Sequence, residues 1–176
     1  MTVQELVKTA KNQGHKAIAL TDYNSLYGAI EFYEEALRNN IKPIIGLTLE
    51  VQGYNDTDKT YPIILLAKNY AGYQELIQLS TMYQLEEKNQ VPLTEVILRS
   101  QDLIVISPGV EGEIMSLLES NKVQEAKELA EYLMQNLTHF YLGISLQQAD
   151  ERAISFYKQT SLPVVALGNV QYLNEE

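Results

Sequence analysis

Cysteine and tryptophan are absent from these 176 residues, and there are only three phenylalanines and two histidines. Without a thiol the chain forms no disulfide, no thiolate zinc site and no cysteine nucleophile, which suits a reducing compartment, and we expect a cytoplasmic protein. Five prolines and nine glycines are too few for a fibrous or disordered polymer, while a hydrophobic share of 45% suffices for one globular core. No apolar run approaches the roughly 20 residues of a membrane span, and the N-terminus has a helix pattern in place of a signal peptide. Positive charge is scarce: 13 Lys and Arg stand against 23 Asp and Glu, a formal net charge of −10. Phosphate backbones are bound mainly by basic side chains that displace counterions, so neither direct nucleic-acid binding nor a membrane partner is expected.

What is present is a regular alternation of short apolar runs and amphipathic segments. Thr2 to Glu5 has the spacing of a capping box, and Leu6, Val7 and Ala10 form the apolar face of a first helix that runs out before Gly14. Ala17 to Leu20 fits a buried strand. A second helix presents Leu26, Ala29, Ile30, Tyr33 and Leu37 at three- and four-residue steps and ends at Asn39-Asn40. Strand-like Ile41 to Val51 and Ile63 to Ala67 flank a polar, turn-rich loop over 53–60. Helices are predicted from Ala71 to Glu86 and from Leu93, then a strand over Leu103 to Ile106 that stops at Ser107-Pro108-Gly109. Helices over Glu113 to Glu119 and Lys122 to Leu137, a strand over Phe140 to Leu146, a helix from Asp150 to Thr160 and a strand over Val164 to Leu167 complete the order. No linker interrupts it. Repeated strand-then-helix units imply parallel strands covered on both faces, hence an α/β barrel or a doubly wound sheet as a single domain over 1–176.

In either architecture the chemistry sits beyond the carboxyl ends of the strands. Those positions hold Asp22 and Tyr23, Thr48 and Glu50, Ser107, Ser145 and Gln147, then Asn169 and Gln171. A catalytic divalent ion needs several carboxylates or imidazoles at one point, whereas amides and hydroxyls dominate here. His15 and His139 fall at the opposite, amino-terminal ends. Asp22 reads as capping the loop or bonding backbone amides, in preference to a leftover ligand role. Ser107-Pro108-Gly109 lacks the lysine and glycine density of a phosphate loop. Glu111 and Glu113 suit the first turn of a helix, and Glu125, Glu128 and Glu131 a solvated face. Tyr23, Tyr27 and Tyr33 cluster at the second helix. With Arg38 the only arginine in the first half, packing at core and rim explains them better than base stacking, and such rings also suit a protein interface.

The segments Glu5 to Lys8, Ala17 to Asp22, Tyr27 to Tyr33, Ile41 to Gly46, Leu65 to Asn69, Gly72-Tyr73, Leu76-Ile77 and Tyr172-Leu173 together resemble the PHP (polymerase and histidinol phosphatase) domain at the start of the bacterial DNA polymerase III alpha subunit. The resemblance implies a distorted, TIM-like β/α barrel of seven strands, here without its opening His-x-His strand. It also implies a fragment of a larger polymerase whose nucleotidyl transfer is carried by a distant palm. Where family members with an intact site place ligands, Asp22 is kept. Elsewhere this chain has Tyr23 for histidine, Thr48 for glutamate, Pro62 for histidine, Gly109 near a cysteine or histidine, Gln147 near a histidine, and Asn169 and Gln171 for the Asp-x-His pair.

The resemblance therefore implies a domain with a degenerate metal site, no cofactor and no catalysis of its own. It would serve DNA replication by supporting the remaining domains of the alpha subunit, or by docking other replisome proteins such as an exonuclease. A reduced metal set around Asp22, giving a phosphoesterase or 3′–5′ exonuclease, is the enzymatic alternative, and a stand-alone barrel with an interaction role outside replication is another. A missing first strand would leave an exposed edge able to pair with a second copy.

Overall fold

The computed structural model describes residues 2–86, 89–145 and 151–168. The chain opens with helix α1 (Val3–Asn12), strand β1 (Ala17–Leu20), helix α2 (Ala29–Arg38), and strands β2 (Lys42–Gln52) and β3 (Thr60–Ala67). Helices α3 (Tyr70–Leu85) and α4 (Leu93–Leu98) lead through a 3₁₀ turn at Ser100–Asp102 into β4 (Leu103–Ser107). Helices α5 (Glu113–Glu119) and α6 (Val123–Asn136), strand β5 (Phe140–Ser145), helix α7 (Glu151–Thr160) and strand β6 (Val164–Leu167) follow. Among the described residues six strands form one curled sheet in sequence order, a half-barrel. It is a mixed α/β fold, as the sequence implies, and six strands suit a barrel short of one.

The pairing is not uniformly parallel. β1 runs parallel to β2, and β4, β5 and β6 are parallel to one another, but β3 is antiparallel to both its neighbours. The reason is in the connections. Residues 53–59 are too few to cross a sheet, so β2 and β3 make a hairpin. After β3, two helices replace the single crossover helix, and the chain returns to the end it left, pairing Ala67 with Leu103. Gly72 lies in that return, where an added Cβ would collide with the Asp102 carbonyl oxygen.

The main core lies between the sheet and its helices. Leu47, Leu49 and Val51 of β2, Leu65 of β3 and Leu103 and Val105 of β4 alternate inward against Leu76 and Leu79 of α3, Ile114 of α5 and Leu129 of α6. A second cluster joins Val7 and Ala10 of α1 to Phe32 and Ala36 of α2 and to Ile41. Burying Phe32 alone contributes about 2–3 kcal/mol. The capping box is formed, with Thr2 and Glu5 bonding reciprocally at 2.8–3.2 Å.

Two expectations fail here for related reasons. Among the described residues β1 is an edge strand with one neighbour, so it is half-exposed and not buried. On α2 the buried residues are Ala29, Phe32 and Ala36, while Ile30, Tyr33 and Leu37 lie in solvent. The two triplets have the same three- and four-residue spacing and differ by one position, roughly 100° round the helix. Periodicity is blind to that offset, and the neighbouring α1 selects the face that carries Phe32 and two small alanines.

Candidate functional site

The antiparallel β3 brings its first half to the same end of the sheet as the carboxyl end of β2, so the half-barrel mouth gathers the loop after β1, the middle of β2, the start of β3 and the loop after β4. Thr48, Ile64, Ile106 and Tyr141 are successive register partners across β2 to β5. An isolated parallel bridge sets Tyr23 beside Thr48. Glu50 stands opposite Pro62. The row through the concave face is therefore mostly apolar, with one buried hydroxyl, that of Thr48.

Hydrogen bonds of the protein itself fill this mouth. Thr48 donates from its hydroxyl to the Thr21 carbonyl at 2.8 Å and from its amide to the Asp22 carbonyl at 3.0 Å, and its own carbonyl accepts from the Asn24 amide at 2.8 Å. Asn24, at φ 56° in the left-handed region that asparagine tolerates, accepts at its side chain from the Glu50 amide at 2.9 Å. Its carbonyl accepts from the Ser80 hydroxyl of α3 at 2.9 Å. The turn after β1 is thus tied to β2 and α3. Asp22 joins through its backbone and not through a cap: its exposed carboxylate lies beside Gly28 and takes no hydrogen bond among the described residues.

Tyr23 closes the arrangement. Its hydroxyl donates to Glu111 Oε2 at 2.9 Å, joining positions 88 residues apart. Burial, then the bond to Glu111 and the charges of Glu111 and Glu50, push the phenol up to about 12. It is a neutral donor at physiological pH, and a phenolate ligand or base is unavailable there. Glu111 precedes α5 by two residues, so its role is this bond and not the helix first turn. No spacing rule could have paired it with Tyr23. Glu113, which is in that first turn, accepts from the Tyr54 and Asn55 amides of the β2–β3 loop at 2.9–3.2 Å. Burial raises its carboxyl above the ordinary value against the opposing pull of those amides.

The remaining sequence candidates do not converge. Pro62 lines, with Gln52, Ser107 and Glu113, a cavity of about 20 Å³, space for a single water. Gly109 is in the turn after β4, which Gly112 tightens by donating its amide to the Pro108 carbonyl at 3.1 Å. His15 and His139 lie at the other end of the sheet, where His139 Nε2 is 2.7 Å from Lys68 Nζ. Gln147, Asn169 and Gln171 lie outside the described residues, as do Leu146, Tyr172 and Leu173. Among the described residues no group of three or more His, Asp or Glu could hold a metal ion. A neutral phenol, a committed threonine hydroxyl and a proline ring do not fit such an ion, so no step through a metal follows from them.

Comparison with known proteins agrees with this architecture. The chain is 34% identical over 181 residues to DNA polymerase III subunit alpha of Bacillus subtilis, and 34% identical over 185 residues to that of Vibrio cholerae. Each match covers 99% of this chain but 16% of the relative, so the chain spans about a sixth of the length of these relatives. Among solved structures it resembles a candidate metal-dependent phosphoesterase from Bifidobacterium adolescentis, with TM-score 0.58 and 11% identity, covering 94% of this chain and 80% of that one. An amidohydrolase from Chromobacterium violaceum, solved with sulfate and no metal, gives TM-score 0.56 and 11% identity over 93% and 80% of the two chains. At that identity the likeness is one of fold. The family model described as the PHP domain matches residues 1–148, and the chain belongs to that family.

Proposed function

We propose that this PHP domain is a non-catalytic structural part of a bacterial replicative DNA polymerase, a single domain over 1–176 within a longer polypeptide. Asp22, Tyr23, Thr48, Pro62, Gly109, Gln147, Asn169 and Gln171 are then the vestiges of an abandoned metal site. Nucleotidyl transfer belongs to the palm of the whole cytoplasmic polymerase. The domain supports the neighbouring parts of the alpha subunit and docks replisome proteins. One observation carries the reading: the mouth where metal ligands would converge is spanned by the Tyr23–Glu111 bond, and its buried hydroxyl is committed to the Thr21 carbonyl.

The test uses the complete polypeptide that contains this domain. Its metal content is measured by mass spectrometry after dialysis, and hydrolysis of a phosphomonoester and of a 3′-terminated oligonucleotide is followed with manganese or zinc added. The expected result is no stoichiometric metal at this domain and no hydrolysis altered by Asp22→Ala. Bound metal together with hydrolysis abolished by Asp22→Ala would establish an enzyme instead.

A further inference from the structure

Helix α2 is apolar on two sides. One stripe, Ala29, Phe32 and Ala36, is in the core. The other continues from the turn before the helix and is open to solvent: Tyr27 is 90% exposed, Ile30 67%, Tyr33 49% and Leu37 51%. Side chains of this size expose on the order of 500 Å² together, about the largest apolar patch a monomer normally shows and enough for the centre of a standard interface. Solvation does not explain four large apolar groups on one ridge.

The chemistry of the rim narrows the occupant. Glu31 and Glu34 flank the stripe on its solvent side, and the only basic residue of the helix, Arg38, is held by Glu34 at 3.0 Å and by the mostly buried Glu35 at 3.3 Å. A second copy would bring these carboxylates face to face on a chain of net charge −10. Nucleic acid and anionic lipid are disfavoured by the same sign. Tyrosine-rich centres with a charged rim are the composition of protein interfaces.

We infer that the exposed stripe formed by Tyr27, just before α2, and Ile30, Tyr33 and Leu37 on it is a docking surface for a protein face of apolar centre and Lys/Arg rim, supplied by the remaining portion of the polymerase polypeptide. The inference rests on the structural role proposed above and names the surface through which that role acts. The relatives carry more than four-fifths of their length outside the matched region, which is where such a face would be found.

Hydroxyl-radical footprinting of the complete polypeptide reads each tyrosine separately. Tyr70, 73% exposed at the start of α3 and at the other end of the sheet, is the internal control. Tyr27 and Tyr33 are expected to label about fivefold more slowly than Tyr70, because the centre of an interface excludes water. Reversing the rim with Glu31→Lys and Glu34→Lys, both on the solvent side of the helix, is expected to restore their labelling while Tyr70 is unchanged. Fast labelling of Tyr27 and Tyr33 with Tyr70 protected would overturn this surface and leave the structural role standing. Fast labelling of all three would overturn this surface, while the structural role stands or falls on the metal and hydrolysis measurements above. Protection that appears only as protein concentration rises, or only when DNA is added, would replace the proposed partner by a second copy or by nucleic acid. Protection indifferent to the charge reversal would refute the basic rim.

Discussion

Removing one oxygen atom, by Tyr23→Phe, tests how the mouth is closed. The lost bond runs from a phenol to a carboxylate, a type worth about 1.5–3 kcal/mol where it is shielded. Tyr23 is 52% exposed, so screening by water cuts this to about 0.5–1 kcal/mol. For a domain of this size that lowers the melting temperature by about 1–4 °C. The effect carries a pH signature. The folded-state phenol titrates near 12 against 10 for an ordinary tyrosine. A raised value means that the folded state keeps its proton where the unfolded chain has lost it, so the stabilisation is whole below pH 10 and disappears as pH rises toward 12.

Two assays read this. Urea unfolding at pH 8 should show the parent more stable than Tyr23→Phe, and the difference should shrink steadily between pH 10 and 12. Ultraviolet titration of phenolate compares twelve tyrosines with eleven, and the difference spectrum isolates one phenol, expected to ionise near pH 12. A missing phenol that ionises near 10, or a stability difference that stays level through pH 12, would refute the bond to Glu111 and with it the argument that Tyr23 cannot act as a phenolate.

Three further outcomes follow from other contacts. Arg99 is mostly buried between Glu75 of α3, where its Nε makes an ion pair at 3.5 Å without a hydrogen bond, and Glu95 of α4. Arg99→Met leaves both carboxylates unneutralised and should cost about 2 kcal/mol in urea unfolding, partly recovered by adding Glu75→Gln. Gly72→Ala forces a methyl group against the Asp102 carbonyl and should destabilise by about 1–3 kcal/mol, read as a lower urea midpoint with unchanged slope. Burial raises the Glu113 carboxyl, so its protonation favours the fold. That contribution is whole below the unfolded value of 4.5 and is lost as pH rises through the folded one, and Glu113→Gln should flatten the stability profile across that window.

The order of elements was legible because most are short and separated by turn-forming residues. The helix over Glu113–Glu119 and the strands over Ala17–Leu20 and Val164–Leu167 match the sequence reading to the residue. Direction and face were less legible, because both depend on partners distant in sequence. The antiparallel course of β3 follows from the 53–59 turn and from a two-helix return, yet strand periodicity reads the same in either direction. The α2 face was misread because two stripes offset by one residue have identical spacing. At the mouth, the excess of amides and hydroxyls beyond the strand ends already indicated a poor metal site, and the family resemblance singled out Tyr23, Thr48 and Pro62 as altered ligand positions. That Glu111 would meet Tyr23 across 88 residues was beyond any local signal.

A metal cluster at the mouth of a barrel has a mechanical effect besides its chemistry, since its ligands pin the ends of several strands to one point. Here the same ends are joined by neutral and singly charged hydrogen bonds: Thr48 holds the turn after β1 at three places, Asn24 reaches β2 and α3, and Tyr23 reaches the loop after β4. Each such bond contributes about 1 kcal/mol, and several acting on one turn hold it without any ion. Carboxylates and imidazoles gathered without a metal would repel one another and bear a desolvation cost, whereas a phenol, a threonine and an asparagine satisfy their neighbours outright. These hydrogen bonds therefore keep β1 fixed without an ion, and β1 is the strand on which the α1–α2 layer and its exposed tyrosine-rich ridge are carried.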